Sequence, residues 1–303
     1  PVGSRAGGRV GACPGDPLWM LAVGPTPRAA RPLAATLAAQ YRPGRTDAVL
    51  GLVADRAPAG VVQARADGVD HGLLALAAQY VGMAVVPVAE QYSLIPGAHE
   101  RLLYVIEKVR PGLLFVDDAG RYAQALNMPE LAGFDVLASQ TDGAPRDVIA
   151  MAQALKGGAA DVDAAHASVT PDTVGKILFT SGSTSMPKGV LTTHRMMCVN
   201  QTQIADVLPL LRARRPRILD WLPWNHVFGG SHNFNMMLAT GGALYIDDGK
   251  QTEALFPRNL EHMKPHTGTL AFNVPVGFVR TVQALKPHPA VRNSFPTEPD
   301  FKF

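Results

Sequence analysis

Three observations on this 303-residue chain predict an α/β fold with a mainly parallel sheet. Helical and strand patterns alternate from residue 69 onward. The apolar runs that read as strands are short and continuous, as in strands buried on both faces. One of them runs directly into a loop of glycine and hydroxyl residues. Alternation of this kind builds parallel sheets covered by helices. The length and a hydrophobic fraction of 47% suit one large or two medium domains with a substantial core.

Residues 1–68 stand apart. They are dominated by Ala, Gly, Pro, Arg and Val and contain no Lys, Glu, Ile, Phe, Asn or His. Within them 19–23 and 48–53 read as short strands and 31–41 as a helix. The frequent Pro and Gly fit a partly disordered leader. They equally fit an out-of-frame translation of GC-rich DNA, or a genuine Ala/Gly-rich leader. From Val69 the pattern is regular, so 69–303 reads as the folded domain. Residues 70–80 form an apolar helix with Asp70 as its N-cap, and strand 84–88 follows Gly82. A helix over 98–108, a Pro111-Gly112 break and a strand over 113–117 repeat the unit, and 121–126 is helical again. His71 and His99 read as helix-surface residues. Residues 139–172 are polar and read as connecting loop around one short helix, 148–155.

The stretch that carries chemistry is Lys176 to Val190. Ile177-Leu178-Phe179 is a strand, followed by Thr180, Ser181, Gly182, Ser183, Thr184 and Ser185, then Met186, Pro187, Lys188 and Gly189. Glycine lets backbone N–H groups approach phosphate oxygens closely, hydroxyls add donors, and lysine adds a compact positive charge. A Walker A loop is excluded. Counted from Gly182, Pro187 replaces its second glycine, Gly189 replaces the Ser/Thr after the lysine, and β-branched Val190-Leu191-Thr192-Thr193 predicts a strand where that motif opens a helix. A helix over 194–207 follows.

The second constellation spans 218–235. A strand over 218–222 leads through Pro223 to Asn225-His226-Val227-Phe228-Gly229-Gly230, an aromatic and glycine loop, then helix 234–239 and, after Gly241-Gly242, strand 243–246. His226 is the candidate functional histidine. His232 has no further ligand at metal-binding spacing, and Trp221 and Trp224 read as core aromatics. A helix over 254–263, a strand over 268–272, an Asn273-Val274-Pro275 turn and a helix over 278–285 complete the pattern.

Thr180 to Gly189 resembles the phosphate loop of the adenylate-forming superfamily, [YF]-T-S-G-[ST]-T-G-x-P-K-G, which serves acyl-CoA synthetases, peptide-synthetase adenylation domains and luciferases. It departs at Ser185, where that family has glycine. The run P-W-N-H-V-F-G-G-S-H-N-F resembles the feruloyl-CoA synthase group. The resemblance implies an AMP-forming acid–CoA ligase, here with a hydroxycinnamate or aryl acid. A fatty acid ligase and a non-catalytic fragment with weak nucleotide binding stand as alternatives. It implies ATP, Mg2+ and coenzyme A as cofactor and substrates and a small carboxylic acid as partner. It assigns phosphate binding to Thr180, Ser181, Gly182, Ser183, Thr184 and Lys188, with Thr184 also the magnesium ligand. Lys188 and His226 are the catalytic residues, and Asn225, His226, Phe228, Gly229, Asn273 and Pro275 the acid pocket. The family's later Tyr-Gly-x-Thr-Glu and Thr-Gly-Asp segments, and the C-terminal domain with its lysine, are not found. The chain is therefore expected to be the front part of the large N-terminal domain of such an enzyme.

Composition excludes other classes. Net charge is +3, and the one basic run, Arg212 to Arg217, lacks interleaved aromatics, so nucleic acid is not an expected partner. No apolar run has the length of a membrane span. Cys13 and Cys198 lack metal-ligand spacing and suit a reducing compartment. With no secretory signal pattern, cytoplasm is the expected location.

Overall fold

The computed structural model describes residues 10–12, 19–22, 26–41, 49–52, 67–158, 160–180, 186–249, 251–264, 266, 268–287 and 292. Their strands are β1 (Val10–Ala12), β2 (Trp19–Ala22), β3 (Val49–Leu52), β4 (Val85–Pro87), β5 (Leu113–Asp118), β6 (Asp135–Gln140), β7 (Ile149–Ala150), β8 (Val174–Thr180), β9 (Lys188–Thr193), β10 (Arg217–Asp220) and β11 (Ala243–Ile246). The chain divides into two compact units. One comprises Pro27–Ala54 and Asp70–Cys198, the other Pro1–Thr26, Asp55–Val69 and Val199–Phe303. Of residues 1–68, the described ones include β1, β2, β3 and a helix, Thr26–Gln40.

The first unit is built on a seven-stranded sheet of order β7-β6-β5-β3-β4-β8-β9. Every neighbouring pair is parallel except β8 and β9. From β3 the chain moves to β4 on one side and then to β5 on the other, the reversal of a doubly wound sheet. Leu113 to Val116 are all buried, which explains why this strand reads as an unbroken apolar run rather than an alternating one. Helix His99–Val109 places Leu102, Val105, Ile106 and Val109 in the core at 3.6-residue spacing. It ends where Arg110 adopts a left-handed conformation before Pro111.

Several expectations need correcting here. The first apolar helix is Asp67–Tyr80, so Asp70 lies inside it and is not its cap. Burial raises the Asp70 pKa. His71 is only 3% exposed, with its ring centroid 6.2 Å from that of Phe115. The helix has little polar face, and an element apolar nearly all round is buried nearly all round. Region 139–172 also holds β7 and two helices, Met151–Ala154 and Val162–Ala167. The second of these is capped by Asp161, whose carboxylate accepts from the backbone N–H groups of Asp163 and Ala164 at 3.0 and 3.1 Å.

The second unit holds a four-stranded sheet, β1-β2-β11-β10. Here β10 and β11 are parallel, while β2 pairs antiparallel with both β1 and β11. Helix Phe234–Thr240 buries Phe234, Met236 and Met237, with Trp224 packed on Phe234 at 4.7 Å, and it stops at Gly241, φ 66°. The strand expected over 268–272 is not formed. The N–H groups of Thr269 and Leu270 converge on one carbonyl, that of Arg217, at 2.8 and 3.3 Å, which is a pinched turn and not a ladder. Pro275 likewise sits in the first turn of a helix, Pro275–Leu285, rather than in a turn before one.

Candidate functional site

The phosphate-loop stretch is a β-hairpin. β8 and β9 pair antiparallel, with Phe179 opposite Gly189 and Thr180 opposite Lys188. The Thr180 hydroxyl donates to the Lys188 carbonyl at 3.4 Å, closing the hairpin across the loop. Lys188 begins a strand, so this geometry differs from a Walker A lysine at a helix start. Both Thr180 and Lys188 are exposed, and Lys188 makes no ion pair among the described residues. Ser181, Gly182, Ser183 and Thr184 lie outside the described residues. Within the hairpin, on β8 opposite Thr192, Lys176 is nearly fully buried, and burial drives its pKa from 10.5 to about 8.

The aromatic and glycine loop of the second unit is a π-helical turn, Val227–Asn233, entered through His226. Such turns are uncommon and concentrate at functional positions. Its glycines permit a close approach of backbone to backbone. A Cβ on Gly229 would lie 2.6 Å from the carbonyl oxygens of Leu222 and Pro223, and one on Gly230 would lie 2.0 Å from that of Trp224. His226 is exposed, and its Nδ1 accepts the Phe228 backbone N–H at 3.3 Å. In the neutral ring the proton then resides on Nε2, which becomes a hydrogen-bond donor suited to a carboxylate.

The same unit contains a small open cleft of about 40 Å3, lined by residues including Leu219, Trp221, Met263, Leu270, Phe272 and Asn273. Trp221, read from the sequence as a core aromatic, is half-buried and donates through Nε1 to Asn273 Oδ1 at 3.1 Å. Asn273 also accepts from the Val274 N–H at 2.9 Å. The pocket thus brings Asn273 together with a tryptophan that had no assigned role. Of the expected pocket residues, Asn273 is in its wall, whereas Asn225, His226, Phe228, Gly229 and Pro275 are not.

Residues 67–297 match the family of AMP-binding enzymes. The chain belongs to that family. A segment of 136 residues is 33% identical to the beauvericin nonribosomal cyclodepsipeptide synthetase of Beauveria bassiana, covering 43% of this chain and 4% of that protein. Among solved structures, ATP-bound MatB from Rhodopseudomonas palustris shares the fold with a TM-score of 0.64 at 21% identity, over 89% of this chain and 47% of that one. The o-succinylbenzoate CoA synthetase (MenE) of Bacillus subtilis, bound to its acyl-adenylate, gives a TM-score of 0.60 at 18% identity, over 86% and 45%. This AMP-binding chain therefore spans about half the length of the solved structures it matches. Its fold matches the N-terminal domain of adenylate-forming enzymes, as the phosphate-loop resemblance implied.

One other cluster in this AMP-binding chain resembles a metal centre. Asp247, Asp248 and His262 bring ligand atoms within 4.8 Å of one another. Each is already engaged. Asp247 Oδ1 accepts from the Gly249 N–H at 2.8 Å and from His262 Nδ1 at 2.7 Å, and Asn259 donates to its other oxygen. Asp248 pairs with Arg258 at 2.6 Å. Burial works to lower the His262 pKa, yet the hydrogen bond and charge of Asp247, aided by Asp248, hold it above the ordinary value. The cluster clips the turn after β11 to helix Phe256–Met263. Among the described residues no helix is long and apolar enough to cross a membrane.

Proposed function

We propose that this chain supplies the nucleotide- and acid-binding parts of an AMP-forming carboxylic acid–CoA ligase whose substrate is an aryl acid of the hydroxycinnamate class. A carboxylate oxygen attacks the α-phosphorus of Mg·ATP, and the bond from that phosphorus to the bridging oxygen breaks, giving acyl-adenylate and pyrophosphate. The thiol of coenzyme A then attacks the acyl carbon, the bond to AMP breaks, and the thiol proton passes to solvent. Catalysis of the first step is positioning and charge stabilisation. Thr180, Ser181, Gly182, Ser183 and Thr184 hold the β- and γ-phosphates, Thr184 also meeting the magnesium of the nucleotide. Lys188 neutralises the departing pyrophosphate. His226 donates through Nε2 to the carboxylate, and Asn225, Phe228, Gly229, Asn273 and Pro275 belong to the acid site.

The observation that carries this reading is the hairpin: Thr180 and Lys188, at the two ends of the glycine-hydroxyl sequence, are paired, with the lysine exposed and free of an ion pair among the described residues. The aryl preference is supported by the aromatic residues of the second unit, where the rings of Phe228, His232 and Phe272 meet edge to face. Acid-dependent ATP–pyrophosphate exchange with ferulate, decanoate or no acid tests both levels. Stimulation by ferulate is expected. Stimulation by decanoate alone overturns the aryl reading, and stimulation by neither acid overturns the ligase reading.

A further inference from the structure

The π-helical turn that starts at His226 ends beside a second histidine to which no role has been assigned. His232 Nδ1 lies 2.8 Å from Asn233 Oδ1. An amide oxygen can only accept, so Nδ1 carries the proton and, in the neutral ring, Nε2 presents a lone pair. Asn233 is fully buried, which fixes the imidazole it holds. The ring stands nearly perpendicular to Phe228 (centroids 5.4 Å apart, 82°) and to Phe272 (4.9 Å, 78°). It is half-buried, and Nε2 has no hydrogen-bond partner among the described residues. Phe272 also lines the open pocket.

We infer that His232 is a specificity-determining residue, its Nε2 accepting a hydrogen bond from a hydroxyl on the tail of the acid. This rests on the ligase reading above. The two histidines of the turn are held in opposite tautomers: His226 by a backbone donor, which leaves it a donor, and His232 by an amide acceptor, which leaves it an acceptor. A carboxylate offers only acceptors and suits the first, whereas a neutral phenol offers a proton and suits the second. The surrounding rings favour any aryl group by area alone, so they discriminate poorly between a phenol and its deoxy analogue. A lone acceptor among them does discriminate, because covering it without a donor leaves it desolvated and unpaired.

The test has two parts, both on the intact 303-residue chain. Two-bond 15N–1H correlation spectra read the tautomer directly, with assignment by loss of the signals in His232→Gln. A protonated Nδ1 is expected. A protonated Nε2, which a reversed Asn233 amide would produce, overturns the inference. Calorimetric titration with 4-hydroxycinnamate and cinnamate reads the discrimination. The hydroxylated acid is expected to bind about tenfold tighter, the effect of one net hydrogen bond. That ratio should fall to near one in His232→Phe, with affinity for cinnamate kept. If both acids bind and His232→Phe leaves their ratio unchanged, the role of His232 is refuted while the acid site stands. Binding of neither acid to the wild type overturns the acid-site reading together with the inference.

Discussion

Replacing Lys176 by Met should stabilise the protein at neutral pH. The residue belongs to β8, within the hairpin itself, where it is nearly fully buried, and burial lowers its pKa from 10.5 to about 8. At about 1.4 kcal/mol per pH unit, that drop corresponds to about 3 kcal/mol by which folding disfavours the charged amine at pH 7. Met keeps the volume and flexibility without the charge, so this cost is recovered, less what the interaction made by Lys176 in the fold contributes. The sign follows from the depressed folded value. The unfolded chain binds more protons between pH 8 and 10.5, so the wild type gains stability on this group's account as pH rises through that window. Below pH 8 the full cost is present. Urea unfolding of wild type and Lys176→Met at pH 7, 8.5 and 10 reads the difference. The variant should lead at pH 7 by up to about 3 kcal/mol, the full cost of burying the charge, with the gap closing towards pH 10. A variant less stable than wild type at pH 7, or a gap independent of pH, would show that the interaction Lys176 makes outweighs its desolvation.

Lys188→Ala should reduce acid-dependent pyrophosphate exchange by about 10²-fold while shifting stability by less than about 0.5 kcal/mol, since the side chain is exposed and without an ion pair among the described residues; unchanged exchange removes it from the phosphate site. Gly230→Ala should destabilise the protein by roughly 1–3 kcal/mol and weaken acid binding, because its Cβ would stand 2.0 Å from the Trp224 carbonyl oxygen; an unchanged urea midpoint would show that the π-helical turn yields. His262 has a raised folded pKa set against Asp247, Asp248 and Arg258, so its stabilisation is complete below the ordinary value of 6.5 and is lost as pH rises through the folded value. His262→Gln should therefore flatten the decline in stability above pH 6.5, and a decline equal to that of the wild type would assign it to other groups.

Elements whose local pattern agrees with their environment were legible before any coordinates. The helix over 194–207 and the strand over 243–246 have the bounds their periodicity indicates. The β8–β9 hairpin was also readable, because β-branched residues follow Lys188 where a Walker A loop would continue as helix. Legibility failed where a feature depends on distant partners. Nothing local in 268–272 reports that two of its N–H groups share the Arg217 carbonyl. His71 looks like a surface residue until its helix is seen to be enclosed. Both histidines of the second unit's turn were visible as letters, but one drew attention only as a poor metal ligand.

The sequence by itself determined the family, the β8–β9 hairpin and a mainly parallel sheet, because each rests on short-range chemistry: glycine and hydroxyl spacing, β-branched continuation, and apolar runs of strand length. Only the tertiary structure showed which group each histidine ring meets. A tautomer is set by the hydrogen bond made by the other nitrogen, and that partner is a backbone N–H for His226 and a buried amide oxygen for His232. The tertiary structure also decided that Asp247, Asp248 and His262, scattered over sixteen residues, form a closed structural clip. Asp247 accepts from His262 and Asn259, and Asp248 pairs with Arg258, all carried by the helix after the turn.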